Sequence, residues 1–278
     1  MGVVIHPTAV VSPAAELGDG VEIGPFCIVE GRSVIGAGTI LKAFVSVGDF
    51  VTIGENCRIH EYAALGGEPQ DHDFKGEISW VRVGKNNIIR ENVTINRATG
   101  EGNETVVGDG CFIMEGVHVA HNNKLGSHVT IANRVGLSGY VTVGDHTVFG
   151  GMTGVHQHVR IGSYCMIGGM YRVIKDVPPY TLASGEPLRL VGLNSVGLRR
   201  ANFSAETRRA IRALYDELYG KERLLSQVLQ AALENKAAYI PEVQRILDFY
   251  EGTRRGVTFW CKGESADANP IKLQAGVI

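Results

Sequence analysis

The chain has no apolar run of about 18 or more residues, so no segment reads as a membrane-spanning helix. It also lacks an excess of charge. Its 27 Lys and Arg against 29 Asp and Glu leave a net charge of −2, which excludes a nucleic-acid surface built on bulk positive charge. Proline is sparse, at 9 residues, and the 36 glycines follow no G-X-Y rhythm. Collagen is thereby excluded, and that much glycine asks instead for many tight turns in a folded protein. The opening stretch MGVVIHPTAVV has neither the basic segment nor the apolar run of a secretory signal. His6 stands where an N-myristoylation motif needs Ser or Thr. A cytoplasmic location is expected. At 278 residues there is length for one large domain or two smaller ones.

What is present is a repeat. Every sixth residue from Ile5 through Val11, Leu17, Ile23, Val29, Ile35, Leu41, Val47, Ile53 and Ile59 to Leu65 is aliphatic. Val83, Ile89 and Ile95 carry the pattern on. A second run goes from Val107 to Val173 with Phe149 its one aromatic member. Glycine often follows the aliphatic, as at Gly18, Gly36, Gly54, Gly108 and Gly126, and a small residue often stands two places before the next one. One large and one small inward side chain per hexad suit a narrow three-sided prism, and hexad repeats signal a parallel β-helix. Cys27, Cys57, Cys111 and Cys165 occupy the small slot, where Cys packs as a small hydrophobe. Cys111 and Cys165 share a column but lie three coils apart, roughly 14 Å at a strand spacing of about 4.8 Å. That is too far for a disulfide, so reduced structural thiols are expected.

Two polar segments interrupt the repeat, 66–82 (GGEPQDHDFKGEISWVR) and 98–106 (ATGEGNETV), and read as loops thrown out of the prism. Such loops tend to carry binding groups. The coils are expected to end near Val177-Pro178-Pro179-Tyr180, because consecutive prolines cannot donate to a ladder. The period then becomes helical. Ser204 reads as an N-cap with Glu206 in the first turn, followed by Ile211, Leu214, Tyr215 and Leu218. Leu224, Leu225, Val228, Leu229 and Ala232 mark a second helix, and Val243, Ile246, Leu247 and Tyr250 a third after Pro241. The tail from about Lys262 has no readable period. The expected organisation is mainly β: a β-helix over 1–186, then a helical cap and tail over 187–278.

The stretch EGVHVAHNNKLG, Glu115 to Gly126, places two histidines in this frame. Three hexads make a coil, so residues 18 apart stack. Gly139 and then Gln157 stand above His121, while Gly136 and Gly154 stand above His118. Positions without side chains leave open space on that wall, room for a substrate to lie.

VHVAHNNKLG, GGMTGVHQHVRIG, DVPPYTLASG, the PQD at Pro69 to Asp71, the TINRAT at Thr94 to Thr99 and the GLRR before the cap together resemble the UDP-N-acetylglucosamine acyltransferases of lipid A biosynthesis, within the hexapeptide-repeat acyltransferases. The resemblance covers nearly the whole chain. It implies a left-handed β-helix, a homotrimer with active sites between neighbouring prisms, and transfer of an (R)-3-hydroxyacyl group from acyl carrier protein to the 3-position of UDP-N-acetylglucosamine. It also implies no metal and no cofactor beyond the phosphopantetheine arm on the carrier protein. By the same resemblance His121 is the general base, suited to the task because imidazole, with an ordinary pKa of about 6.5, can accept a proton near pH 7. Gly139 supplies an oxyanion-stabilising N–H. Asp71, Asn122, Tyr140, His156 and Gln157 contact the sugar nucleotide, Asn194 and Arg200 its nucleotide and phosphate end, and Gly169 and Met170 the acyl groove. Departures from the family pattern are Asn122 where an Asp is often found, Tyr140 and Asn96 in place of His, Pro187 in place of a His at the end of the acyl groove, and Val196 in place of an acidic residue.

Other readings remain open on sequence. The acceptor could be a 3-amino sugar or the donor coenzyme A. His118, His121 and His146 could serve a zinc site of the carbonic anhydrase kind, which needs three converging ligands. A non-catalytic scaffold would retain the prism alone. The charges Arg208-Arg209 and Lys221-Glu222-Arg223 on the cap read either as solvated faces or as a dock for an acidic carrier protein.

Overall fold

The structure, a computed structural model, describes residues 2–220 and 224–261; Lys221-Glu222-Arg223 and the tail from Lys262 lie outside the described residues. Most hexads form a two-residue strand that ends on its inward aliphatic, then turn onto the next face. Glu22–Ile23, Ile28–Val29 and Val34–Ile35 make one such coil. Strands 18 residues apart then pair in parallel, Val4 with Glu22 and Ile5 with Ile23, and so on up the stack. The result is three sheets of 11, 9 and 8 strands around a triangular core, parallel except for the last strand of the first. Ile35, Leu41, Ile53, Ile59, Ile95 and Ile113 are among its fully buried members. The glycine after the aliphatic is explained by close approach of coils: a Cβ on Gly54 would lie 2.6 Å from the Gly84 carbonyl carbon.

The corners turn through left-handed residues that are often not glycine, among them Phe26, Phe44, Tyr62, Asn122, Tyr140, His146 and Met152. Such residues cost free energy there, and stacking along each corner offsets part of it. Phe26, Phe44 and Tyr62 stack at 4.9 and 5.0 Å; His128, His146 and Tyr164 stack at 4.8 and 4.6 Å. The four slot cysteines are buried and unpaired. Burial pushes the Cys111 thiol up to about 11 and the Cys165 thiol up to about 12, so neither is an accessible nucleophile.

The two excursions are shorter than the sequence suggests. Trp80–Val83 and Glu104–Val107 are strands, paired in register, because Val81 and Thr105 supply inward, fully buried side chains. The sheet also runs past residue 186. Thr181–Ser184 extends the 11-stranded face, and Arg189–Leu193 folds back on it antiparallel. The cap begins after that hairpin with a short helix, α1 (Ser195–Arg200), which the sequence pattern did not announce. The three expected helices follow: α2 (Ala205–Leu218), α3 (Leu225–Glu234) and α4 (Pro241–Glu251). Ser204 caps α2 by accepting from the Thr207 N–H. Tyr180, Ile211, Leu214, Tyr215, Ile246 and Leu247 form a second core under the cap. Buried Asp176 fastens the two parts, accepting from the Arg160 N–H at 2.9 Å and the Thr253 hydroxyl at 2.7 Å.

Candidate active site

One wall of the prism, the 9-stranded sheet, carries the column the sequence suggested: His118 pairs with Gly136, Gly136 with Gly154, and Gly154 with Arg172. Cβ atoms on Gly136 and Gly154 would meet nothing within 4 Å, so the wall is open there. A cleft of about 590 Å³ lies along it, lined by Gln70, His118, His121, Gly139, His156 and Gln157 among others, and reaching Arg172 and Ile174 at its far end.

His121 stands at the corner beside this wall and is only 8% exposed. Three groups hold it. The Tyr140 ring meets it edge-on at 5.2 Å and stacks on His158 at 4.7 Å. Gly139 lies against the imidazole so closely that a Cβ there would sit 2.5 Å from Nε2. Asn122 Oδ1 lies 2.9 Å from Nδ1. The Asn122 amide has a fixed sense, since its Oδ1 accepts from the Thr99 N–H at 2.8 Å and its Nδ2 donates to the Thr99 carbonyl at 3.0 Å. An oxygen facing Nδ1 requires a proton on Nδ1, which leaves Nε2 as the lone-pair nitrogen beside Gly139. The Gly139 N–H has no hydrogen-bond partner among the described residues.

Asp71, in the first loop, is brought beside the imidazole, its Oδ2 3.7 Å from Nδ1. The Asp73 N–H donates to Asp71 at 3.1 Å and is the main cause holding that carboxyl below the usual carboxylate range, with His121 contributing. The negative charge that Asn122 does not carry is thus supplied from the loop. His118 is held by the Thr94 hydroxyl at 2.7 Å, and burial pushes its pKa down, so it stays neutral more readily than ordinary imidazole.

The other expected residues fall into two groups. His156 and Gln157 line the cleft. Asn194 and Arg200 do not: Asn194 caps α1 and holds the Tyr164 carbonyl at 2.9 Å, while Arg200 ends that helix exposed. Gly169 and Met170 sit at the opposite corner of the same wall; Met170 is 74% exposed, and a Cβ on Gly169 would lie 2.9 Å from the Gly151 oxygen. Sequence reasoning missed Gln70, Arg172 and the Thr99 peptide. Arg172 could have been found by stepping 18 residues on from Gly154; the Thr99 contacts come from loop geometry that no periodicity encodes. The histidine set of the zinc alternative does not converge within one chain, since His146 stacks with His128 and Tyr164 at a different corner.

A prism of hexads with an oriented imidazole beside a side-chain-free wall defines the class of hexapeptide-repeat acyltransferases. Residues 32–67 match the model for bacterial transferase hexapeptides, and residues 176–258 match that for UDP N-acetylglucosamine O-acyltransferase, domain 2. The acyl-(acyl-carrier-protein)–UDP-N-acetylglucosamine O-acyltransferase of Thermodesulfovibrio yellowstonii is 44% identical over 91% of this chain and 98% of its own; that of Thiobacillus denitrificans is 41% identical over the same shares. Among solved structures, LpxA from Acinetobacter baumannii superposes with a TM-score of 0.87 at 38% identity, covering 92% of this chain and 99% of that one. The UDP-N-acetylglucosamine O-acyltransferase of Moraxella catarrhalis gives 0.86 at 36%, covering 91% and 99%. The chain belongs to the UDP-N-acetylglucosamine O-acyltransferase family, and its prism is a left-handed parallel β-helix with a helical cap.

Proposed function

We propose that the protein transfers an (R)-3-hydroxyacyl group from acyl carrier protein to the 3-position of UDP-N-acetylglucosamine, the step with which lipid A synthesis begins. The observation that carries this reading is the orientation of His121, whose lone-pair Nε2 lies at the edge of the open wall. A sugar hydroxyl in the cleft gives its proton to Nε2 as its oxygen attacks the thioester carbonyl carbon. The tetrahedral oxyanion is stabilised by the Gly139 N–H. Asn122 and Asp71 stabilise the imidazolium through Nδ1. When the intermediate collapses, the C–S bond breaks and the imidazolium returns its proton to the departing pantetheine sulfur. The thioester is already activated, so this chemistry needs no metal or dissociable cofactor.

The same reading makes the protein a cytoplasmic homotrimer. The small outward residues Ser46, Ala64 and Thr94 on the cleft face favour close approach of a second prism. A neighbouring copy would also supply the nucleotide-end residues Asn194 and Arg200, which this chain's own cleft lacks. Among the described residues no helix is long and apolar enough to cross a membrane.

The test is incubation of purified protein with a series of 3-hydroxyacyl carrier proteins, or the matching coenzyme A thioesters, and UDP-N-acetylglucosamine or its 3-amino analogue, with products read by mass spectrometry. O-acylated UDP-N-acetylglucosamine from the carrier-protein donors is expected. Absence of product from every donor overturns the activity, and product from the 3-amino sugar alone reassigns the acceptor. Sedimentation equilibrium should give the mass of three chains; a monomer would refute the shared site.

A further inference from the structure

The two loops that leave the prism are tied to each other, and the knot leads to the base. Glu77 Oε1 in the first loop accepts the Gly100 N–H of the second at 2.6 Å. In return Glu101 Oε2 accepts the Ile78 N–H at 3.1 Å, and the Gly102 N–H donates to the Ile78 carbonyl at 2.8 Å. The Gly100 N–H belongs to the same peptide unit as the Thr99 carbonyl, the group that accepts from Asn122 Nδ2 at 3.0 Å. One planar peptide is therefore gripped on one side by a carboxylate and on the other by two amides, that of Asn103, whose Nδ2 donates to the Thr99 carbonyl at 2.9 Å, and that of Asn122, which faces His121. Gly100 has φ +95°, a left-handed conformation open to glycine, so side-chain sterics do not fix this peptide and it depends on its hydrogen bonds.

We propose that Glu77 is a positioning residue for the transfer reaction, acting through the Thr99–Gly100 peptide and the Asn122 amide to keep the proton of His121 on Nδ1 and the lone pair on Nε2. If that peptide turns over, its carbonyl leaves Asn122 Nδ2. The amide then keeps only the Thr99 N–H bond to its Oδ1. Once it rotates out of that single bond it presents its NH2 to Nδ1, and the imidazole proton shifts toward Nε2, where it blocks acceptance from the sugar hydroxyl. Glu77 itself touches neither His121 nor the cleft lining. The role rests on the acyl-transfer reading only for its effect on rate; its effect on the imidazole is independent of substrate.

The experiment compares Glu77→Ala and Glu77→Gln in the full-length protein. Glutamine keeps an oxygen that can accept the Gly100 N–H and serves as the rescuing variant. Protein carrying 15N-labelled histidine, with His121 signals assigned by His121→Gln, reports which ring nitrogen bears hydrogen at a pH where the ring is neutral. In the parent and in Glu77→Gln the Nδ1–H form is expected. In Glu77→Ala the Nε2–H form should gain, kcat should fall by at least about tenfold, and KM should hold, because an imidazole in the wrong tautomer binds but does not accept. An unchanged tautomer in folded Glu77→Ala overturns the proposal, as does a Glu77→Gln protein that matches Ala. Should Glu77→Ala fail to fold, a Glu77→Gln protein with a shifted tautomer or lowered kcat would equally refute it. A parent enzyme with the expected tautomer and no transferase activity would overturn the function while leaving this positioning role standing.

Discussion

Replacing Gly139 by Ala tests the tightest contact in the site. The added methyl would lie 2.5 Å from both Nε2 and Cε1 of His121. Ordinary carbon contact is about 3.5 Å or more, so ring and backbone must separate by about 1 Å. The ring has little room to yield, with Tyr140 against its edge and Asn122 bonded to Nδ1. Gly139 has no left-handed backbone, so the substitution adds crowding without conformational strain. A displacement of that size at a base costs about 10²-fold in kcat, and overpacking a closed site costs about 1–3 kcal/mol in stability. Gly136→Ala is the control, because its methyl meets nothing within 4 Å; it should melt like the parent and raise KM by occupying the wall. Steady-state kinetics and denaturant titration of both variants decide the matter. A Gly139→Ala enzyme with parental kcat would show that the imidazole is not confined between Gly139, Tyr140 and Asn122.

His121→Ala should lose about 10²–10⁴ in rate while keeping the parent circular dichroism spectrum; retention of rate would remove the base from the mechanism. Alkylation of native protein near pH 8 should modify Cys261, which is partly exposed, and spare Cys165, whose thiol at about 12 is almost wholly protonated there and turns to thiolate only as pH rises toward that value. Peptide mass mapping reads the result, and labelling of Cys165 before unfolding would contradict its burial. The Tyr215 hydroxyl donates to the Pro179 carbonyl at 2.7 Å from a fully buried position. Tyr215→Phe should therefore cost about 1–3 kcal/mol by orphaning that carbonyl, measured by denaturant midpoint.

The prism was legible because its inward slots recur at a fixed interval and every one must be apolar to fill a narrow core. A single aliphatic is weak evidence, but Ile5 to Leu65 without a miss leaves one architecture. The wall at His118, Gly136 and Gly154 followed from the same arithmetic, since registry in a stack is set by covalent spacing alone. Neither loop lent itself to such counting. Val81 and Thr105 resumed the inward alternation inside segments that looked polar, and the return of the strand could not be timed from composition. The same holds for Asp71, which reaches the imidazole, and for Thr99, which reaches the Asn122 amide, through folded loop paths. Asn194 also caps α1 with its amide, a local contact that Asn before a short helix could have signalled.

The stacked rungs also constrain what this protein can become. Each takes its place from the one beneath, so losing a single residue between His121 and Gly139 would swing every later side chain around the axis and carry Gly139 away from His121. Length can change only at the two outgrowths and beyond the last rung. New specificity in this lineage must therefore arise by substitution on a fixed lattice or by remodelling those outgrowths, and the outgrowths are already wired to the base.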